Sequence, residues 1–206
     1  MHRSWTARAV PVVMAISIAA SIAFTSYIAT PARADRGAES LSWSDLGNRT
    51  GVVVLMRHAL APGGGDPPGF QLGDCSTQRN LSPEGRAQAR RIGSNIRASG
   101  IEVAGVLASP WCRSAQTARL LGIGPVTTRR YLGSTFTAAD AVSARRESRT
   151  RQLIASHRDD PGALFLVGHY ANIVDLIGLT TDSGEAVAVR MGEDGELDVI
   201  GRIRQT

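Results

Sequence analysis

Short apolar runs alternate with longer amphipathic stretches along most of the chain. The runs at 51–56 (GVVVLM), 103–108 and 163–167 are almost entirely apolar, which is typical of strands that are buried on both faces. Helices are predicted at 82–99, 113–121, 140–157 and 170–179, and further strands at 126–131, 186–191 and 197–203. Strands that alternate with helices predict a parallel sheet with helices on its faces.

The ends of these elements carry matching signals. Ser82-Pro83-Glu84 combines an N-cap, a proline at the first helical position and an acidic first turn, and Gly100 follows the last helical residue. Asp194-Gly195 lies between the last two strands and predicts a hairpin. The predicted fold is therefore α/β, a three-layer α/β/α sandwich with a mixed central sheet, in one domain.

The N-terminal residues have the three parts of an export signal. Arg3 and Arg8 precede an uncharged stretch at 9–28, and Ala32-Arg33-Ala34 is an A-x-A cleavage pattern. The expected organisation is a signal peptide at 1–34, a linker or short lead-in helix at 35–49, and one domain at 50–206. The apolar stretch is just long enough to span a bilayer, so an uncleaved membrane anchor is the alternative. In both cases we expect the domain outside the cytoplasmic membrane, in the periplasm.

The basic residues are unusual in kind. All 23 are arginine, which excludes a Schiff-base lysine, a pyridoxal phosphate anchor and the lysine of a P-loop. The net charge of +5 falls to +2 when the three arginines of the signal are removed, so we expect no nucleic-acid partner. Hydrophobic residues at 43% and charged residues at 20% indicate a folded core rather than a disordered chain.

Histidines and arginines follow three of the predicted strands, at the ends where ligands bind in open α/β sheets. Arg57-His58 follows the first strand, Arg113 comes soon after the second, and His169 follows the strand at 163–167. Guanidinium groups can hold phosphate oxygens bidentately, and one imidazole can attack phosphorus while the other stabilises the transition state. The pattern predicts a phosphoryl site that needs neither metal nor cofactor. His157, at the end of a helix, is interpreted as a C-terminal cap.

Four segments resemble the landmarks of the histidine phosphatase superfamily, also called phosphoglycerate mutase-like. They are VLMRHAL, LSPEGRAQARRIG, VLASPWCRSAQTARLL and LFLVGHYANI. The resemblance implies that His58 becomes phosphohistidine, that Arg57, Arg113 and His169 line the phosphate pocket, and that water then releases phosphate. It implies a phosphatase for a small phosphorylated substrate. The expected compartment and length are similar to those of enterobacterial lipopolysaccharide core heptose-phosphate phosphatases, which suggests an envelope phospho-sugar.

Three features depart from the family patterns. Ala59 replaces the glycine of the Arg-His-Gly triplet, the mutase-type Glu and Asn after the triplet are missing, and Tyr170 stands where acid phosphatases have aspartate. These departures argue against mutase activity and leave the general acid open. We expect Glu185, which opens a strand, ahead of Asp140. The alternative function is a non-catalytic periplasmic module that binds phosphate or phosphorylated glycans.

The segment 60–74 is rich in glycine and proline and is predicted to be a long surface loop. We expect it to cover the mouth of the pocket, with Asp66, Phe70 and Gln71 near the non-phosphate part of the substrate. Cys75 and Cys112 are expected either to form one disulfide, which would tie the end of this loop to the phosphate site, or to remain thiols.

Overall fold

Six strands form one mixed sheet at the centre of the domain. The computed structural model describes residues 2, 38–47 and 49–204. The strands are β1 (Val53–Arg57), β2 (Val103–Ala108), β3 (Val126–Thr128), β4 (Ala163–Gly168), β5 (Ala186–Met191) and β6 (Leu197–Ile203). Their order across the sheet is β3-β2-β4-β1-β5-β6. The first four strands in this order are parallel, whereas β5 is antiparallel to both β1 and β6. This confirms the predicted mixed sheet.

Helices cover both faces of the sheet. They are α1 (Pro83–Ser99), α2 (Cys112–Leu121), α3 (Asp140–Ser156) and α4 (Tyr170–Ile177). Successive strand residues point to opposite faces, so Val54 of β1 packs with Ile92 of α1 on one side. Val53 packs on the other side, in the cluster that contains Ile154 of α3 and Ile173 of α4. The predicted three-layer sandwich is confirmed.

The first long helix is capped as predicted and holds the next helix close. The hydroxyl of Ser82 accepts a hydrogen bond from the N–H of Gly85 at 3.0 Å, and Gly100 ends α1 with a φ of 71°. At Gly93 a β-carbon would lie 1.8 Å from the carbonyl oxygen of Leu121, so only glycine lets α1 and α2 approach this closely. This contact fixes α2, whose first turn carries Arg113.

The segment before β1 is packed on the domain. A 3₁₀ helix, Trp43–Leu46, buries both of its end residues, and the Trp43 ring lies 5.8 Å from that of Phe165. This short helix lies within 35–49, the segment expected to be a linker or a short lead-in helix. The predicted signal peptide lies outside the described residues, apart from its second residue. No helix within the described residues is long and apolar enough to cross a membrane.

Two smaller predictions have different outcomes. The hairpin is confirmed, since β5 and β6 pair in antiparallel fashion and Gly195 takes a φ of 80° between them. The strand predicted at 126–131 is shorter, because the chain turns into a 3₁₀ helix, Arg130–Leu132, that buries Leu132 in the core.

Candidate active site

Two neighbouring strands, β1 and β4, end side by side, and the chain leaves them toward opposite faces of the sheet. A crevice opens between diverging chains at such a position. His58 follows β1 and His169 follows β4, and the N–H of His58 donates to the carbonyl oxygen of Gly168 at 3.0 Å. The topology therefore brings the two histidines together, with ring centroids 5.6 Å apart.

The ring of His58 is held in one tautomer. Its Nδ1 lies 2.8 Å from the carbonyl oxygen of Ala59, and because a carbonyl can only accept, Nδ1 carries the proton. Burial, followed by the charges of nearby arginines, lowers the pKa of His58 to about 3, although the bond to Ala59 opposes this shift. The ring is therefore neutral near pH 7, and Nε2 keeps the lone pair that a nucleophile needs.

His169 is also buried and neutral. Burial and then the neighbouring His58 and Arg113 hold its pKa well below the ordinary value. Its Nε2 lies 2.8 Å from the hydroxyl oxygen of Ser109, which follows β2. The indole of Trp111 packs edge-on against the His169 ring at 5.6 Å. A fixed, neutral imidazole is suited to hydrogen bonding with a phosphate oxygen.

Two guanidinium groups border the histidines. Arg57 donates through Nη1 to the carbonyl oxygen of Thr181 at 2.6 Å and lies over the ring of Tyr170. Arg113, in the first turn of α2, is 2% exposed. The Nε–H groups of both arginines are buried and have no hydrogen-bond partner among the described residues. Buried unpaired donors are costly, so these two groups are suited to an anionic ligand.

A carboxylate occupies the fork of Arg113. Nη1 and Nη2 of Arg113 donate to the two oxygens of Asp66 at 2.7 and 3.2 Å. Asp66 also accepts hydrogen bonds from the indole N–H of Trp111 and the backbone N–H of Arg79. Burial opposes ionisation of Asp66, but these bonds and the charge of Arg113 outweigh it, so the pKa of Asp66 lies below its ordinary value. Asp66 was expected near the non-phosphate part of a substrate, and the structure places it against Arg113, which the sequence motifs assign to the phosphate pocket.

All four predicted site residues line one cavity of about 650 Å³. Its lining residues are rich in arginine and in aromatic side chains. The arginines are Arg57, Arg79, Arg113 and Arg146, and the aromatic residues are Phe70, Trp111, Phe136 and Tyr170. A pocket of this size with a few convergent polar groups is typical of a small-molecule site. Its four arginines face one carboxylate, which makes it strongly cationic.

Sequence reasoning missed two of these arginines. Arg79 donates to the carbonyl oxygens of Ala61 and Gly65, which fixes the loop that carries Asp66. Arg146 lies 5.7 Å from the ring of Trp111, on a helix with several arginines that no local signal distinguishes. Of the loop residues, Phe70 lines the cavity as expected.

Part of the chain matches a known protein family. The model of the histidine phosphatase superfamily (branch 1) matches residues 53–133, which include Arg57, His58 and Arg113. This match confirms, for that part of the chain, the resemblance inferred from the sequence motifs. No curated protein matches the chain by sequence.

Solved structures of phosphatases share its fold. The protein histidine phosphatase SixA complexed with tungstate is 17% identical, with a TM-score of 0.53 over 74% of this chain and 96% of that one. A phosphoserine phosphatase from Entamoeba histolytica in complex with 3-phosphoglyceric acid is 14% identical, with a TM-score of 0.54 over 75% and 98%. The ecdysone phosphate phosphatase from Bombix mori in complex with tungstate is 14% identical, with a TM-score of 0.54 over 74% and 92%.

The disulfide expected from the sequence is formed. Cys75 and Cys112 are bonded, with their α-carbons 5.6 Å apart. The bond joins the end of the glycine-rich loop to the first residue of α2, next to Arg113. Gln78 strengthens the same junction, because its side chain accepts from the N–H of Cys112 and donates to the carbonyl oxygen of Gln71. Gln71 is therefore part of the loop's own bonding, and it does not line the cavity.

Neither acid suggested from the sequence lies in the cavity. The expectation that Glu185 points into the pocket is wrong, because its carboxylate accepts from Arg202 at 2.9 Å and from the N–H of Asp182 at 2.7 Å. Asp140 begins α3 and is exposed. His157 is the C-cap of α3, as predicted. Within the described ranges, no group of three potential metal ligands is present.

Proposed function

We propose that this protein hydrolyses a phosphomonoester in two steps, through a phosphohistidine at Nε2 of His58. The observation that carries the proposal is the hydrogen bond from Nδ1 of His58 to Ala59, which leaves Nε2 unprotonated inside a cationic cavity. Nε2 attacks phosphorus and the leaving oxygen departs. Water then attacks the phosphohistidine and releases inorganic phosphate.

The arginines and His169 supply the electrostatic stabilisation. Arg57 and Arg113 each have a buried Nε–H that no described residue accepts from, and both line the cavity beside His58. Phosphoryl transfer needs stabilisation of charge on the equatorial oxygens more than it needs covalent chemistry. Guanidinium groups remain charged at any relevant pH and can bind two oxygens each. The proposed reaction therefore needs no metal and no cofactor.

The proposed location is the periplasm, after removal of residues 1–34. The three-part signal and the Cys75–Cys112 disulfide both support export, because disulfides persist in oxidising compartments. Mass spectrometry of protein recovered from a periplasmic fraction is expected to show an N-terminus at Asp35 and no free thiol. A chain that keeps its first 34 residues and sediments with membranes would instead support the anchor.

The proposed substrate is an envelope phospho-sugar. Aromatic side chains line the cavity beyond the histidines, and their faces can pack against the CH groups of a sugar ring. Four arginines also supply more positive charge than one phosphate group neutralises, which favours a substrate with a further anionic group.

The test is hydrolysis of p-nitrophenyl phosphate by the purified protein in EDTA, beside His58→Gln. Wild-type turnover is expected to survive EDTA, and ³²P from a labelled ester is expected to label wild-type protein but not the variant. Glutamine keeps a polar side chain without a nucleophilic nitrogen, and circular dichroism verifies its fold. If phosphate binds but neither protein turns over any ester, the non-catalytic binding module is the better description.

A further inference from the structure

We propose that Asp66 is the general acid of this phosphatase, held on Arg113 until the substrate's phosphate displaces it. The inference rests on the proposed function, since it assigns the proton donor for the same reaction. Phosphomonoesters of ordinary alcohols need such a donor, because an alkoxide is a poor leaving group. Among the described residues that line the cavity, Asp66 is the only one with a carboxylate.

The position of Asp66 indicates where the phosphate group of the substrate binds. Its two oxygens receive the two Nη groups of Arg113 at 2.7 and 3.2 Å, the geometry in which guanidinium also binds phosphate. One guanidinium fork cannot hold both anions in this way. A phosphate dianion carries twice the charge of the carboxylate and also meets Arg57 and His169, so it takes the fork, and Asp66 gives up its bonds to Arg113. Asp66 is then left beside the bound phosphate.

The loop around Asp66 can accommodate this displacement. Gly63 and Gly65 have φ values of 90° and 64°, and nothing lies within 4 Å of a β-carbon placed on Gly64 or Gly65. These glycines give the backbone freedom without breaking core contacts. At its far end the loop is held by the disulfide between Cys75 and Cys112. Asp66 can therefore leave Arg113 and Trp111, while the bond from Arg79 to the carbonyl oxygen of Gly65 keeps the loop at the mouth of the cavity.

The change of neighbours also changes the protonation of Asp66. On Arg113 the carboxylate is stabilised as the anion, and its pKa is low. Beside a phosphate dianion the same carboxyl group meets negative charge, which favours its protonated form. A substrate that arrives as the monoanion brings the required proton, because the second pKa of a phosphate monoester is about 6. Binding thus converts Asp66 from a counter-ion into an acid.

The proton balance of the two steps is complete. In the first step the lone pair on Nε2 of His58 forms the N–P bond, the P–O bond to the leaving group breaks, and the leaving oxygen takes the proton of Asp66. In the second step water attacks phosphorus, Asp66 accepts one proton of that water, and the N–P bond returns its electron pair to Nε2. The products are an alcohol and inorganic phosphate.

The experiment compares leaving groups. Asp66→Asn is expected to slow hydrolysis of an alkyl phosphate, glycerol 2-phosphate, by on the order of 10²–10⁴-fold. Hydrolysis of p-nitrophenyl phosphate, whose leaving group departs without a proton, is expected to fall by less than about 10-fold. Asp140→Asn is the matched control, since Asp140 undergoes the same chemical change on an exposed helix start outside the cavity. The Asp140→Asn variant is expected to hydrolyse both esters at the wild-type rates.

Several outcomes would overturn the inference. If Asp66→Asn lowers both hydrolysis rates equally, Asp66 is a structural or positioning residue. If the variant raises both rates equally, Asp66 only competes with the substrate for Arg113. A measurement on the wild type alone guards against a variant that does not fold. Across a series of aryl phosphates, the wild-type rate is expected to depend weakly on leaving-group basicity, and a steep dependence would exclude a general acid. The proposed function itself fails only if the wild type is inactive or His58→Gln stays active.

Discussion

Two carboxylate–arginine pairs in the part of the chain that the structure describes have one fully buried member each, and only one of these two pairs lies in the cavity. Nη1 of Arg113 is 2.7 Å from Asp66, and Nη2 of Arg202 is 2.8 Å from Glu185. Glu185 directly precedes β5, and the bond from Arg202 joins it to β6. The carboxylate of Glu185 also accepts from the N–H of Asp182. Asp66 lies on a glycine-rich loop and faces the histidines' cavity.

The difference lies in what could replace the carboxylate. Around Glu185 the partners are fixed by two hydrogen-bonded strands, and the pair does not line the cavity. Around Asp66 a ligand can reach the arginine and provide the same two oxygens. A buried ion pair between rigid elements contributes to the folded state, whereas one at the wall of a cavity can be exchanged during a reaction. The same residue chemistry therefore has a structural role in one region and a functional role in the other.

The largest effect is expected from removing the arginine of each pair. Arg113→Ala removes a cation that contacts the reacting phosphate, so kcat/KM for p-nitrophenyl phosphate should fall by on the order of 10³-fold. Arg202→Ala is the matched control and should leave kcat/KM within about 3-fold below its melting temperature, because Arg202 does not touch the site. Steady-state kinetics on both variants checks this. Similar losses of kcat/KM in the two variants would contradict the proposed difference between the two arginine pairs.

Opening the disulfide should destabilise the protein without touching either pair directly. The bond closes a loop with a sequence separation of 37, for which chain entropy alone gives about 3–4 kcal/mol. Cys75→Ser/Cys112→Ser is therefore expected to lower the free energy of unfolding by about that amount in urea titrations. Wild-type protein kept reduced should match the double variant. A loss below about 1 kcal/mol would mean that the loop is held mainly by Gln78 and Arg79.

Removing the carboxylate of each pair should separate stability from ligand binding. Glu185→Gln leaves Arg202 without its ionic partner between rigid strands and should cost about 3 kcal/mol. Asp66→Asn should cost less than about 1 kcal/mol in phosphate buffer, because phosphate occupies the arginine fork. Urea unfolding with and without phosphate provides the measurement. Rescue of Glu185→Gln by phosphate, or no rescue of Asp66→Asn, would contradict the comparison.

The fold was largely predictable because its signals are local. Apolar runs, the Ser82 cap and the closing Gly100 determine elements within a few residues of themselves, and each of these was confirmed. The candidate site residues were predictable for another reason. Residues that follow parallel strands lie at the same edge of the sheet, and β2, β4 and β1 are neighbours in it, so Arg113, His169 and His58 come together.

The acid could not be found in this way, because its position depends on a loop. Glu185 opens a strand, as an active-site residue can, but the antiparallel partner β6 presents Arg202 to it. Asp66 follows three glycines, and the sequence does not reveal that the disulfide and Arg79 fold this loop onto Arg113. Tertiary contacts of loops are set by distant residues, which periodicity and capping signals do not describe.

Acid should weaken the cavity region through its two buried histidines. The pKa of His58 is lowered to about 3 and that of His169 also lies well below 6.5, mainly through burial. Between these values and 6.5 the unfolded chain binds protons that the folded chain does not, so the free energy of unfolding falls as pH falls. Each histidine should contribute about 1.4 kcal/mol per pH unit below about pH 6.

Urea unfolding of wild type and His58→Gln at pH 7, 6 and 5 measures how steeply the free energy of unfolding changes with pH. The variant lacks one titrating ring, so its slope should be about 1.4 kcal/mol per unit shallower, whereas an unchanged slope would mean that burial does not lower the pKa of His58 in the folded protein.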